Sequence, residues 1–190
     1  MPFLALAFVI LLIGVQIKKR TFLEKKIKKI FWIPVAAVFS LSVIFSFIQY
    51  QLWLAGEQTK YLLPPFVHIN RFLLYAFFQF FAPYILAFML SVLLFLLMKK
   101  ANKKYGARFF EKDEIYIAFL GGFLSGFPGF LFYLFGVVAA YLIIHLYKSL
   151  IKGKKEVIPL YYLWLPVSAF VIINNILWLS RTGLWKILSI

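Results

Sequence analysis

Long apolar runs separated by short basic segments are the feature that most limits how this chain can fold. Hydrophobic residues make up 64% of the 190 residues, charged residues make up only 14%, and the mean hydropathy is +0.93. A water-soluble domain of this size could not bury so much apolar surface, so the sequence predicts an integral membrane protein. The length suits one compact helical bundle, and we predict a single all-α domain over residues 1–190.

The basic residues are concentrated in three short segments between the apolar runs. Seven lie in Lys18–Lys29, six in Lys99–Lys112 and four in Lys148–Lys155, which is 17 of the 21 in a chain of net charge +15. Lys and Arg in short loops mark the cytoplasmic side of a membrane, where they also meet anionic lipid headgroups. A nucleic-acid-binding protein would instead carry a basic face on a soluble module, so nucleic acid is not predicted as a partner.

The apolar runs and the basic segments together predict about six transmembrane helices, with the N-terminus outside. A single helix over Ile115–Tyr147 would be about 50 Å long, against a hydrocarbon core of about 30 Å, and it would separate its flanking basic segments. Two crossings keep both segments on one side, with the turn at Gly126–Gly129. A kink is expected at Pro83. The other predicted helices are roughly Pro2–Ile17, Ile30–Leu54, Phe72–Met98 and Ile158–Leu179, with an external loop at Ala55–Asn70.

Several segments at the predicted helix ends share an order and spacing with a known family. The first helix ends in Val15-Gln16-Ile17-Lys18, and the fourth is entered through Glu111-Lys112-Asp113-Glu114-Ile115. Gly126-Phe127-Pro128-Gly129 follows, and the last helix opens with Ile158-Pro159-Leu160-Tyr161-Tyr162. This series resembles the catalytic domain of type IV prepilin leader peptidases, which are membrane-embedded aspartic peptidases. The stretch from Phe31 to Met98 matches that family only in its hydrophobicity.

The resemblance implies a catalytic site with one half replaced. In that family the first helix ends in an aspartate and a later helix opens with Gly-x-Gly-Asp; the two carboxylates cleave the leader peptide of type IV prepilins. Asp113 corresponds to the second aspartate, and Gln16 stands at the position of the first. Paired carboxylates share a proton, so that one acts as base and the other as acid. Since an amide cannot exchange a proton near neutral pH, the resemblance implies weakened or lost peptidase activity.

Other departures from the family pattern surround these two positions. Phe22-Leu23 replaces Ile-Pro, Glu111-Lys112 stands where Gly-x-Gly precedes the second aspartate, and Tyr161-Tyr162 replaces Gly-Pro. Lys112 beside Asp113 would favour a fixed carboxylate over a shared proton. Glu24 and Glu111 are the acidic residues considered as substitutes for the missing aspartate. Many family members carry a Cys-rich, zinc-bearing methyltransferase domain at the N-terminus; with no cysteine in the chain, we expect none here.

Three functional hypotheses remain open at this point. The first is a degenerate prepilin-peptidase-like protein that binds prepilin-type signal segments or acts as a scaffold in pilus assembly. The second is an active peptidase of the same family with an unusual catalytic pair. The third is a small polytopic substrate-binding subunit of a membrane transporter. For the family hypotheses we expect the plasma membrane of a prokaryote, with the basic loops cytoplasmic; the oligomeric state stays open.

The same residues also have purely structural explanations. Asp113, with Glu111 and Glu114, could form a solvated acidic patch that balances a basic loop. The glycines at positions 121, 122 and 126 could serve only helix packing. Neither a cofactor nor a metal is predicted, because His68 and His145 each lack a second ligand at suitable spacing and no nucleotide-binding motif occurs.

Overall fold

The part of the chain that the structure describes is an all-helical bundle. This computed structural model describes residues 2–18, 26–106, 110–152 and 160–177, and no β-strand occurs among them. The predicted all-α class is therefore confirmed. The α-helices of the described ranges are α1 Pro2–Lys18, α2 Trp32–Ala55, α3 Asn70–Ala76, α4 Ala82–Lys104, α5 Glu114–Ser125, α6 Gly129–Lys152 and α7 Trp164–Leu177.

The described helices have the length and surface of a membrane protein. Within the described ranges, four helical stretches are long and apolar enough to cross a membrane: Lys26–Ala55, Asn70–Lys104, Gly129–Leu150 and Leu160–Leu177. The helices α1 and α5 are also apolar but shorter, at 17 and 12 residues. Large apolar side chains such as Phe135 and Phe3 are exposed on the outside of the bundle, where lipid can cover them. The chain is a helical membrane protein.

The short helix α5 lies at the centre of the bundle. It contacts α1, α4, α6 and α7, and eleven of its twelve residues are buried. At 1.5 Å per residue it is about 18 Å long, well short of a hydrocarbon core of about 30 Å. Backbone groups exposed to lipid at the ends of so short a helix would be costly, and the surrounding helices prevent that exposure.

Two glycines in α5 allow the neighbouring helices to approach closely. A Cβ at Gly122 would lie 2.8 Å from Cε2 of Phe130 and 3.0 Å from Oγ of Ser91. A Cβ at Gly121 would lie 2.7 Å from the hydroxyl oxygen of Tyr133. Small residues at membrane helix interfaces let backbones and large side chains pack together. The structure therefore supports a packing role for both glycines.

Polar groups inside the bundle are joined across helices. The carbonyl oxygen of Gly121 accepts hydrogen bonds from the hydroxyls of Ser125, at 2.8 Å, and of Ser168, at 2.9 Å. Ser125 belongs to α5 and Ser168 to α7. A buried hydroxyl without a partner is costly in an apolar medium. The Ser168 bond satisfies one such hydroxyl and links α7 to α5.

The predicted turn between α5 and α6 is present. Gly126 follows α5 with φ +64°, in the left-handed region that favours glycine, and α6 begins at Gly129. The backbone N–H of Phe127 donates to the carbonyl oxygen of Pro83 at 3.0 Å, which ties the turn to the start of α4.

A π-helical turn over Phe77–Phe81 separates α3 from α4, directly before the predicted kink position at Pro83. π-helical turns are rare and occur mostly as single turns inside α-helices. The hydroxyl of Ser42 in α2 donates to the carbonyl oxygen of Phe80, at 3.1 Å, which ties α2 to this turn. A second, smaller hydrophobic core lies apart from the main one. There Leu63, in the segment between α2 and α3, packs against Phe72 of α3.

The packing around α5 predicts that Gly122→Ala destabilises the bundle. The added methyl group would meet the Phe130 ring and Ser91, and overpacking of this kind typically costs about 1–3 kcal/mol. Gly14→Ala is the matched control, because a Cβ there meets nothing within 4 Å and alanine favours a helix by up to about 1 kcal/mol. Thermal unfolding of both variants in detergent tests this. Equal melting temperatures for the two variants would contradict the close packing at Gly122.

Candidate functional site

Gln16 lies buried at the end of α1 and is hydrogen-bonded to the segment that precedes α7. Its side chain is 2% exposed, and its Nε2 donates to the carbonyl oxygen of Tyr161 at 2.8 Å. Tyr161 belongs to a short 3₁₀ turn, Leu160–Tyr162, just before α7. Buried amide donors in folded proteins nearly always have a partner. Gln16 therefore ties the end of α1 to the start of α7.

Glu114, the first residue of α5, makes a second tie to α7. It is 3% exposed. Its Oε1 accepts a hydrogen bond from the indole Nε1 of Trp164 at 2.8 Å, and its Oε2 accepts one from the backbone N–H of Glu111 at 3.0 Å. Trp164 is the first residue of α7. Both carboxylate oxygens are therefore held, one by another helix and one by the turn that leads into α5.

Asp113 immediately precedes α5 and is also buried. Its side chain is 7% exposed, and its carbonyl oxygen accepts hydrogen bonds from the backbone N–H groups of Tyr116 and Ile117. The neighbouring Glu111 and Lys112 are exposed. The hypothesis of a solvated acidic patch is therefore wrong for Asp113 and Glu114, because both carboxylates lie inside the bundle.

The two ties meet at one end of the bundle. Tyr161 and Trp164 are three residues apart at the beginning of α7, so Gln16 and Glu114 bind neighbouring positions of one segment. The C-terminal end of α1 and the N-terminal end of α5 consequently pack against the same place. This is the arrangement that a shared site for Gln16 and Asp113 requires, and the distance between these two side chains stays a prediction.

The carboxyl group of Glu114 holds its proton more tightly than an ordinary glutamate does. Burial at the entry of α5 is the largest cause and raises the pKa of Glu114. The hydrogen bonds from Trp164 and Glu111 favour the charged form, but they do not cancel that cost. The negative charges of Glu111 and Asp113 raise the pKa further.

Sequence reasoning missed the roles of Glu114 and Trp164. Glu114 was grouped with the exposed acidic residues, although its place at the head of an apolar run was a usable signal. A carboxylate that enters such a run needs a buried donor, and an indole N–H is a donor that apolar surroundings tolerate. The pairing itself spans 50 positions and has no local signature.

Glu24, Phe22-Leu23 and Ile158-Pro159 lie outside the described residues. Within the described ranges, no group of three or more His, Asp or Glu side chains is arranged to hold a metal ion.

Comparison with known proteins gives no match: no family model, no curated protein and no solved structure matches the chain.

The raised pKa of Glu114 predicts a pH dependence of stability. A raised pKa means that the folded protein binds this proton more tightly than the unfolded chain does. Its contribution to stability is complete below the ordinary value of 4.5 and is lost as the pH rises through the folded-state pKa. As the pH rises from 4.5 through the folded-state pKa of Glu114, we expect the free energy of unfolding to fall. Glu114→Gln should remove the share of this fall that comes from Glu114.

Unfolding of the chain in detergent, followed from about pH 4 to about pH 8, measures the effect. Glu57→Gln is the matched control, since Glu57 is an exposed glutamate in the segment between α2 and α3. A pH profile of Glu114→Gln that runs parallel to that of the natural chain would contradict the assignment.

Proposed function

We propose that the chain is a prepilin-peptidase-like membrane protein with an incomplete catalytic pair. It binds prepilin-type signal segments and cleaves them far more slowly than a two-aspartate relative does. The observation that carries this proposal is the hydrogen bond of Gln16, whose Nε2 donates to the carbonyl oxygen of Tyr161 at 2.8 Å. Gln16 stands at the position of the family's first aspartate, and its amide makes a structural hydrogen bond there.

The partner of Gln16 suits an amide and does not suit an ionised aspartate. A carbonyl oxygen only accepts hydrogen bonds, and a carboxylate is also only an acceptor. An aspartate at position 16 would therefore lose the bond and leave a buried acceptor without a donor, which typically costs about 1–3 kcal/mol. This supports the view that the site has adapted to glutamine.

Glu114 does not take over the role of the missing carboxylate in this proposal. Both of its oxygens accept hydrogen bonds, from Trp164 and from the backbone of Glu111. A shift of its carboxylate toward a substrate would leave the buried Trp164 indole N–H without a partner. We infer that Glu114 is a positioning residue that holds the entry of α5, beside Asp113 as the remaining family carboxylate.

The proposed location is the plasma membrane of a prokaryote, with the basic ends of the helices toward the cytoplasm. The hydrogen bonds of Asn102, near the basic end of α4, support a common side of the membrane for these basic helix ends. Its Nδ2 donates to the carbonyl oxygen of Phe110 at 2.7 Å, and the Phe110 N–H donates to its Oδ1 at 3.1 Å. These bonds hold the lysines at the end of α4 close to the entry of α5, and lysines near helix ends favour the cytoplasmic face.

One observation favours the transporter-subunit alternative. A cavity of about 270 Å³ lies beside the Gly126 turn, and it is lined in part by Gln79, Tyr84, Ser125 and Asn175. This volume is just below the roughly 300–1,000 Å³ of drug-sized ligand sites, and its amide and hydroxyl groups suit only a small uncharged polar solute. This cavity is near the opposite end of α5 from Asp113, so it is independent of the peptidase proposal.

The proposal predicts that the natural chain cleaves a prepilin in reconstituted membranes at least ~10³-fold more slowly than a two-aspartate relative. Asp113→Asn is the blank. Gln16→Asp should recover only part of the rate, because Lys112 remains and the bond to Tyr161 is lost. Binding of a prepilin signal-segment peptide should be present in the natural chain and similar in Gln16→Asn, a matched variant that keeps an amide.

Two outcomes would contradict the proposal in different ways. Turnover by the natural chain at a rate close to that of a two-aspartate relative, and lost in Asp113→Asn, would show that the catalytic pair is complete. No binding of the signal-segment peptide would remove the family proposal, and saturable binding of a polar solute that is lost in Asn175→Ala would then favour the transporter subunit.

A further inference from the structure

An aromatic pocket opens on the surface of the bundle between α2 and α4, with α5 as its floor. Its volume is about 400 Å³, within the roughly 300–1,000 Å³ of ligand sites. Trp32 and Leu96 at its edge are 60% and 56% exposed, so the pocket faces the surroundings of the bundle. Its aromatic walls come from Phe31, Trp32, Phe88, Phe95, Tyr116 and Phe119.

The floor of this pocket is firmly packed. The ring of Phe119 lies 4.7 Å from that of Phe31 and 5.5 Å from that of Phe88, measured between centroids. Tyr116 lies 5.6 Å from Phe31 and 5.3 Å from Phe95, with both ring pairs edge to face. Aromatic pairs in these arrangements stabilise one another beyond their buried area. The pocket is therefore preformed, with walls that suit an apolar chain.

One lysine lines the pocket and a second contacts a residue of its wall. Lys28 is part of its lining, and the Nζ of Lys99 lies 4.4 Å from the centroid of the Phe95 ring. Both lysines are exposed. The cation–π contact holds Lys99 beside a wall of the pocket. Among the described residues that line the pocket there is no carboxylate. The pocket thus combines an apolar body with a positively charged entrance.

We propose that this pocket binds one anionic phospholipid, with an acyl chain against the aromatic walls and the phosphate between Lys28 and Lys99. The charge of the two lysines favours one class of lipid. They attract an acidic headgroup, contribute little to binding a neutral one and repel a cationic one. The exposed Trp32 matches the interfacial position that tryptophan favours at the headgroup level. This site is separate from the Gln16–Asp113 site and does not depend on the proposed function.

The test uses the full chain in nanodiscs that contain phosphatidylglycerol with a photoreactive group in its acyl chain. We expect labelling to concentrate on the peptides that carry Trp32 and the Phe88–Leu96 stretch. Unlabelled phosphatidylglycerol should compete, and phosphatidylcholine should not. A juxtamembrane lysine typically contributes about fivefold to the affinity for anionic lipid, so Lys28→Gln with Lys99→Gln should reduce labelling by roughly 25-fold.

Lys60→Gln is the matched control, because the Nζ of Lys60 also lies over an aromatic ring, 5.2 Å from the centroid of Tyr61, in the segment between α2 and α3. It should label like the natural chain. Val92→Trp, which fills the pocket and keeps both lysines, should also abolish labelling. The proposal is overturned if the lysine variant labels normally, if phosphatidylcholine competes equally, or if label spreads evenly over the exposed faces of α6.

Discussion

The burial of Glu114 is the constraint on which this end of the bundle depends. A carboxylate removed from water is destabilising by several kcal/mol unless hydrogen bonds compensate. Here the indole N–H of Trp164 and the backbone N–H of Glu111, at 2.8 and 3.0 Å, offset part of that cost. The start of α7 must therefore lie against the start of α5. Gln16 binds the adjacent Tyr161 carbonyl and brings the end of α1 to the same place.

The same constraint determines which chemistry the site favours. Position 16 faces a carbonyl oxygen, so it requires a donor, and an amide supplies one where an ionised carboxylate does not. Both carboxylate oxygens of Glu114 accept hydrogen bonds, so Glu114 holds the start of α5, and with it Asp113, in place. Neither Gln16 nor Glu114 therefore supplies the second carboxylate that sharing a proton with Asp113 requires. This is the physical basis of the proposed binding protein with weak or absent peptidase activity.

Hydropathy and charge predicted the helices well, because each helix is a property of a local run of residues. The predicted helix at Ile30–Leu54 corresponds to Lys26–Ala55, and the predicted turn at Gly126–Gly129 is present. The central place of α5 could not be predicted in this way, since a run that packs inside a bundle is as apolar as one that faces lipid. The contact between Glu114 and Trp164 was also beyond reach, because it joins residues that are 50 positions apart.

The most direct test of the account is the separation of positions 16 and 113. The natural chain has no cysteine, so Gln16→Cys with Asp113→Cys gives a defined pair for a short bifunctional thiol reagent. Gln16→Cys with Tyr161→Cys is the positive control, and a partner at Asn175, about 16 Å along α7 from Trp164, is the negative control. The account predicts that the 16–113 pair cross-links nearly as well as the 16–161 pair. Cross-linking of the 16–161 pair without the 16–113 pair would contradict a shared site for Gln16 and Asp113.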